Sequence, residues 1–244
     1  MSATRTIAIS LAALAALGGA QAALAEGDGW ERCVNDRKVP AADRIAGCTR
    51  VIDSGVWDGE NLGLAHALRG LANGQSEDHI GALTDLDDAI ALRPTDTEAL
   101  MTRAAVYAAL KRPNEQLADF DRVLVLRPRS SEALNARCWT RAELNRELDK
   151  ALADCNAALK IIPDSPAFLD SRGLAHLRAG RWDAAIADYT AALEGAPKQP
   201  WSLYGRGIAK VRKGDRKGGK ADIEAGKASW AGIEAAFNGY DIKP

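Results

Sequence analysis

Aromatic residues are scarce in this chain, making up 5% of its 244 residues, with only four tyrosines and three phenylalanines. Valine and isoleucine are also few, so strand-forming side chains are too sparse for a β-rich fold. Charge of one sign is missing as well. The 32 Lys and Arg nearly cancel the 33 Asp and Glu, so no bulk charge draws the chain to nucleic acid. There is no CxxC pair, no phosphate loop, no GxSxG and no HExxH. The three histidines, His66, His79 and His176, fall too far apart for metal-ligand spacing. These absences remove the common catalytic and metal-dependent classes, and the reading is a non-enzyme without cofactor or metal. What is present is a chain rich in Ala, Leu, Arg and Asp and 47% hydrophobic. That is ample apolar area for a helical core, and more than a disordered polymer carries.

Residues 7–25, IAISLAALAALGGAQAALA, form an apolar run preceded by Arg5 and ending in Ala23-Leu24-Ala25. This pattern predicts a signal peptide over residues 1–25, cut before Glu26 or alternatively after Ala22. An uncleaved anchor is the other reading; Gly18-Gly19 and Gln21 argue for cleavage. No cysteine follows the run before Cys33, which argues against a lipid anchor. No second run of membrane length occurs. The expected location is the periplasm, with secretion as the alternative, and no membrane insertion after cleavage.

The remainder repeats. Pro94, Pro128, Pro163 and Pro197 are 34, 35 and 34 residues apart, and Asp85, Asp119, Asp154, Asp188 and Asp222 recur with the same single insertion. Gly70, Ala104, Trp139 and Gly173 precede the prolines by 24 residues, and Gly207 continues their series. On that alignment the extra residue lies between Pro128 and Trp139, in the turn Arg129-Ser130-Ser131. Each period holds two helical patterns. In one, a helix opened by Ser165-Pro166 is stopped by Gly180. A second helix with Ala185, Ile186, Tyr189 and Leu193 on one stripe is then closed near Pro197.

Leu169, Gly173, His176, Ala185, Tyr189, Ala192 and Pro197 give this unit a pattern that resembles the tetratricopeptide repeat, with His176 in place of the usual Tyr. The unit of Gly70 matches at Ala82, Leu86, Ala89 and Pro94, and the next at Tyr107, Phe120 and Pro128, with Gln116 replacing a small residue. The third places Trp139 at the glycine position but keeps Ala151, Ala158 and Pro163; the fifth keeps Leu203 and Gly207 without a closing proline. The resemblance implies an all-α, right-handed superhelical solenoid of stacked helix-turn-helix units. Five units are expected over residues 63–229 (63–96, 97–131, 132–165, 166–199 and 200–229). A helical hairpin and loop over 26–62 precede them, and a capping helix and tail over 230–244 close the array. It also implies a non-catalytic scaffold that binds a protein or peptide segment in a concave groove. The alternative is a structural or self-associating envelope component that uses its convex face and ends.

Residues at i, i+3 and i+7 of the first helices share the face that the resemblance turns inward. They include Leu64 and Leu71, Met101, Thr140, Asp170 and Leu174, and Trp201, Tyr204 and Ile208. Trp201 and Tyr204 read either as a binding anchor or as packing against the fourth unit. Arg206, Lys210, Arg212, Lys213, Arg216, Lys217 and Lys220 face only Asp215 within the run from 206 to 220. They read as a solvated repeat or as a docking patch, and with Trp201 they suggest a ligand that is apolar with acidic flanks. The Lys and Asn clamp that some of these domains use for C-terminal carboxylates is absent, because Ala67, Leu71, Thr102 and Ala133 stand on that face. Arg69, Arg103, Arg172 and Arg206 each precede an aligned aspartate by 16 residues, with Cys138 interrupting the series. They read as anion-binding residues or as Arg–Asp links within the stack.

Cys33 and Cys48 lie symmetrically about Pro40, and Cys138 and Cys155 about the turn Asn145-Arg146-Glu147. Residues equidistant from a hairpin turn face each other on antiparallel helices, so two disulfides with these pairings are expected; four reduced thiols are the alternative. Non-reducing peptide mapping should recover the linked peptides Cys33–Cys48 and Cys138–Cys155. A peptide joining Cys33 to Cys138 or Cys155 would overturn the hairpin assignment.

Overall fold

A computed structural model describes residues 29–34 and 39–244. The signal-peptide reading lies outside the described residues. Among these residues every regular element is a helix. The chain divides into two compact units at Arg112–Pro113.

The first unit holds a short helical segment over 29–34 (α1), then α2 (Ala41–Asp53), α3 (Gly59–Gln75), α4 (His79–Leu92) and α5 (Thr97–Ala109). Cys33 and Cys48 are bonded with Cα atoms 4.6 Å apart. Their pair packs with Val51 and Ala65, while Trp30 stacks on Trp57 at 4.7 Å. The Asp78 side chain accepts the Gly81 N–H at the start of α4, and Asp96 accepts from Glu98 and Ala99 at the start of α5. These caps satisfy donors that a helix leaves open at its first turn.

The second unit holds α6 (Pro113–Leu126), α7 (Ser131–Glu143), α8 (Leu148–Ile161), α9 (Pro166–Arg178), α10 (Trp182–Gly195), α11 (Pro200–Lys213), α12 (Arg216–Ser229) and α13 (Ile233–Gly239). Ser130 and Asp215 cap α7 and α12, accepting from Ala133 and Gly218. Ser165 stands at the N-cap of α9 as expected, but its side chain makes no capping bond; Pro166 supplies the preset φ instead. Gly180 (φ 70°) turns the chain between α9 and α10 in a region that L side chains rarely adopt. Tyr189 fills the space between α9, α10 and α11. A Cβ on Gly173 would sit 2.8 Å from its ring, and one on Gly205 2.5 Å. Only glycine lets both helices close on that ring.

The insertion is placed differently from the sequence reading. Helices α5, α7 and α9 start at 97, 131 and 166, and the turn between α7 and α8 spans 144–147, one residue longer than 110–112 or 179–181. Asn145 and Glu147 both take positive φ there, 52° and 47°. The extra residue therefore lies in the α7–α8 turn, not at Arg129-Ser130-Ser131. Cys138, not Trp139, occupies the close-approach position, fully buried and bonded to Cys155 with Cα atoms 5.5 Å apart. Arg137 thus continues the arginine series that Cys138 seemed to interrupt.

Those arginines are links within the stack. Arg172 grips Asp188 through Nε (2.8 Å) and Nη2 (2.7 Å), while Nη1 reaches Asn156 on the preceding hairpin at 2.9 Å. Arg206 holds Asp222 at 2.7 and 2.8 Å and reaches Thr190. Arg137 holds Asp154 at 2.8 and 2.6 Å and reaches Asp121 at 2.6 Å. In the first unit Arg69 holds Asp85 and reaches Thr49, and Arg103 reaches Asp87. Asp85, Asp154, Asp188 and Asp222 are all buried. Hydrogen bonds donated to the aspartate are the largest influence holding the Arg69, Arg137 and Arg172 guanidinium groups above their ordinary range. The anion-binding reading falls, because each of these guanidinium groups already holds a carboxylate. A bidentate pair of this kind is strong in geometry, and removing one partner strands a buried charge. Arg172→Leu should cost about 3–5 kcal/mol in urea unfolding; a loss below about 1 kcal/mol would show that Asp188 does not depend on it.

Candidate ligand groove

The first helices α7, α9 and α11 build one face of the second unit. A cavity of about 320 Å³ opens on it, with Asn135, Trp139 and Thr140 of α7, Asp170 of α9, Gln199 and Trp201 among its lining. Trp139 and Trp201 meet edge to face with centroids 5.4 Å apart. The Trp139 indole and the Tyr240 hydroxyl both act on the Glu143 carboxyl and lower it. Burial is the main influence on Glu143 and keeps it above its usual range despite them. Trp201 is packed by Phe237 at 5.3 Å and Tyr240 at 5.8 Å. Both indoles are therefore fixed before any ligand arrives.

Asp170 is the unusual group on this face. It is 5% exposed and accepts a hydrogen bond from the Ser202 hydroxyl. Burial pushes its carboxyl up to about 6, against the Ser202 bond, which lowers it. The same desolvation acts on its neighbour Tyr189, whose hydroxyl is held well above its ordinary value.

Of the expected groove residues, Thr140, Asp170 and Trp201 come together at this cavity. Leu71 lies elsewhere, in an apolar hollow of about 220 Å³ in the first unit with Thr102, Ala105 and Val106. Leu64 and Met101 are half-buried on α3 and α5 and line neither cavity. Leu174, Tyr204 and Ile208 are a correction: all three are buried and belong to the core. The C-terminal segment covers them. Ile233, Phe237 and Ile242 are buried in the same cluster, and Arg178 donates to the carbonyls of Ala142, Glu143 and Tyr240, tying the tail to α7. Asn135 and Trp139 were missed because the misplaced insertion shifted the third unit by one residue. The unbroken 34-residue step from Arg103 to Arg137 was the signal that could have found them.

The basic run does not form one uncommitted patch. Arg206 and Lys210 both pair with Asp222, Lys213 with Asp183, and Arg212 stacks over Trp182 and donates to the Lys243 carbonyl. Burial raises the Asp222 carboxyl, but the bonds from Arg206 and Lys210 outweigh it and leave it below its ordinary range. Arg216, Lys217 and Lys220 stand exposed on α12. Three of the seven basic groups are thus paired with a carboxylate, and none of the seven lines the cavity beside Trp201, so the run gives no direct support for acidic flanks there.

Among the described residues, His66, Asp85 and Asp88 cluster closely enough to suggest a metal. The donor set does not fit one, since Asp85 already accepts from Arg69 and Asn73, and the guanidinium repels a second cation.

Comparison with solved structures decides the fold. A tetratricopeptide repeat protein from Parabacteroides merdae is similar over 88% of this chain and 88% of its own, with a TM-score of 0.73 and 16% identity. The fold is that of the tetratricopeptide repeat proteins. PilW, a widely conserved type IV pilus biogenesis factor, is similar over 74% of this chain and 88% of its own, with a TM-score of 0.64 and 18% identity. YrrB, a tetratricopeptide repeat protein with an unusual peptide-binding site, is similar over 75% of this chain and 92% of its own, with a TM-score of 0.59 and 16% identity. No family model matches the chain, and no curated protein matches it. The tetratricopeptide architecture supplies the helix order that brings α7, α9 and α11 to one face.

The raised Asp170 carboxyl has a consequence for stability. Its native form keeps the proton to higher pH than the unfolded chain does. Its contribution is therefore full below about pH 4 and is lost as pH rises through about 6. Asp170→Asn, which keeps an acceptor for Ser202, escapes that loss. Its stability relative to wild type should rise by about 2–3 kcal/mol between pH 4 and 7 in urea melts. A difference that is flat with pH would contradict the burial argument.

Proposed function

We propose that the protein is a non-catalytic interaction scaffold of the cell envelope that binds a peptide or protein segment along the face of its first helices. The observation that carries this is the cavity bounded by Trp139, Trp201 and Asp170, whose aromatic walls are fixed by packing on one another and on Phe237 and Tyr240. Pre-set aromatic side chains around a concave site are the usual anchors of recognition, because little freedom is lost on binding. The shared fold with YrrB, which has a peptide-binding site, supports the same reading. The proposed organisation is five repeat units over 63–229, with the hairpin before them and the cap after them.

Export is supported by the signal-like run at the start of the sequence and by the disulfides Cys33–Cys48 and Cys138–Cys155, which persist in oxidising compartments. No helix among the described residues is long and apolar enough to cross a membrane.

Binding to an immobilised array of 15-residue peptides tests the proposal. A subset should bind, and Trp139→Ala should weaken capture by roughly tenfold or more, as expected for an anchor, with unchanged helix content. Binding to none, or capture indifferent to Trp139→Ala, would sink the groove reading, and a stable dimer by light scattering would then favour self-association.

A further inference from the structure

Asp170 on α9 stands apart from the buried aspartates of the second helices. Asp85, Asp154, Asp188 and Asp222 each hold an arginine. Asp170, equally buried, has the Ser202 hydroxyl and no basic residue among the lining of its cavity. A buried carboxylate without a countercharge is costly, and the fold does not require it, since an amide at this position would also accept from Ser202. The same cavity shows a second anomaly. Asn135 Oδ1 is buried and has no hydrogen-bond partner. Two residues that line one cavity thus carry an acceptor short of a partner: Asp170 lacks a countercharge and Asn135 Oδ1 lacks a donor. The walls are two indoles at an interplanar angle of 83°, offering a corner of π-faces. Tryptophan faces attract cations more strongly than other aromatic rings do.

We infer that the cavity between Trp139 and Trp201 is a site for an organic cation, the ammonium or guanidinium head of a lysine or arginine side chain on the bound segment. This rests on the groove reading above and names what the groove selects. The cationic head supplies donors to the Asp170 carboxylate and to Asn135 Oδ1, while its methylene stem lies along the indoles. An acidic group in this place would meet Asp170 with like charge. A purely apolar group would leave Asp170 and Asn135 as they are, desolvated and unmatched. The partner's recognition element is therefore basic, which reverses the preference suggested by the run from Arg206 to Lys220.

The test is an NMR titration of the folded protein, following the Trp139 and Trp201 indole N–H signals. The probes are Nα-acetyl-lysine methylamide and its uncharged isostere, Nα-acetyl-norleucine methylamide. The lysine probe should shift both signals saturably, the norleucine probe should leave them in place, and Asp170→Asn should weaken the lysine probe by about tenfold or more. Equal shifts with the two probes, shifts with neither, or undiminished affinity in Asp170→Asn would overturn the site. The probe comparison on the wild-type protein holds whether or not the variant folds. Array peptides that bind equally with lysine or norleucine would remove the cation site and leave the groove. Saturable lysine-probe binding with no array peptide captured would remove the groove and leave the cation site.

Discussion

The structure depends on one recurring contact, an arginine of the first helix whose fork closes on a buried aspartate of the second. Helices rich in alanine bury little area each, so apolar packing alone specifies their relative rotation weakly. The bidentate fork fixes that rotation, because two parallel hydrogen bonds admit only one orientation of guanidinium and carboxylate. The remaining nitrogen of the same arginine reaches the preceding hairpin, so one side chain sets both the geometry inside a hairpin and the step to its neighbour.

The third hairpin bends this rule and gains the site. One extra residue in the α7–α8 turn places Arg137 17 residues before its aspartate, and Arg141 joins Asp154 from the next turn of α7. The close-approach position becomes Cys138, tied to Cys155, where glycine or alanine serves elsewhere. Trp139 is then released from the core and stands against Trp201. The C-terminal tail locks this arrangement through Tyr240, Glu143 and Arg178. A local irregularity and a distant tail together make the walls of the cavity.

Much of the fold was legible because its signals are local. Proline spacing, glycine stops and apolar stripes reported the hairpins, and cysteines equidistant from a turn reported the bridges. Proline distance aligns Trp139 with the glycines and puts the insertion before α7, whereas the 34-residue step from Arg103 to Arg137 puts it after α7, where the structure has it. Leu174, Tyr204 and Ile208 have the helical phase of groove residues. Phase gives the side of a helix, not what later covers it, and here α13 and the tail cover that side.

The sequence by itself determined the helical repeat, its period, the disulfide pairs and the composition of the first-helix faces, since each depends on spacing along one or two adjacent helices. Only the tertiary structure decided which aspartate is left without a cation and which aromatics remain at a cavity. Those outcomes turn on neighbours that are 30 or more positions away in sequence, such as Ser202 for Asp170 and Tyr240 for Arg178, 32 and 62 residues apart. Burial and charge compensation are properties of the assembled neighbourhood, and no periodicity in the chain encodes them.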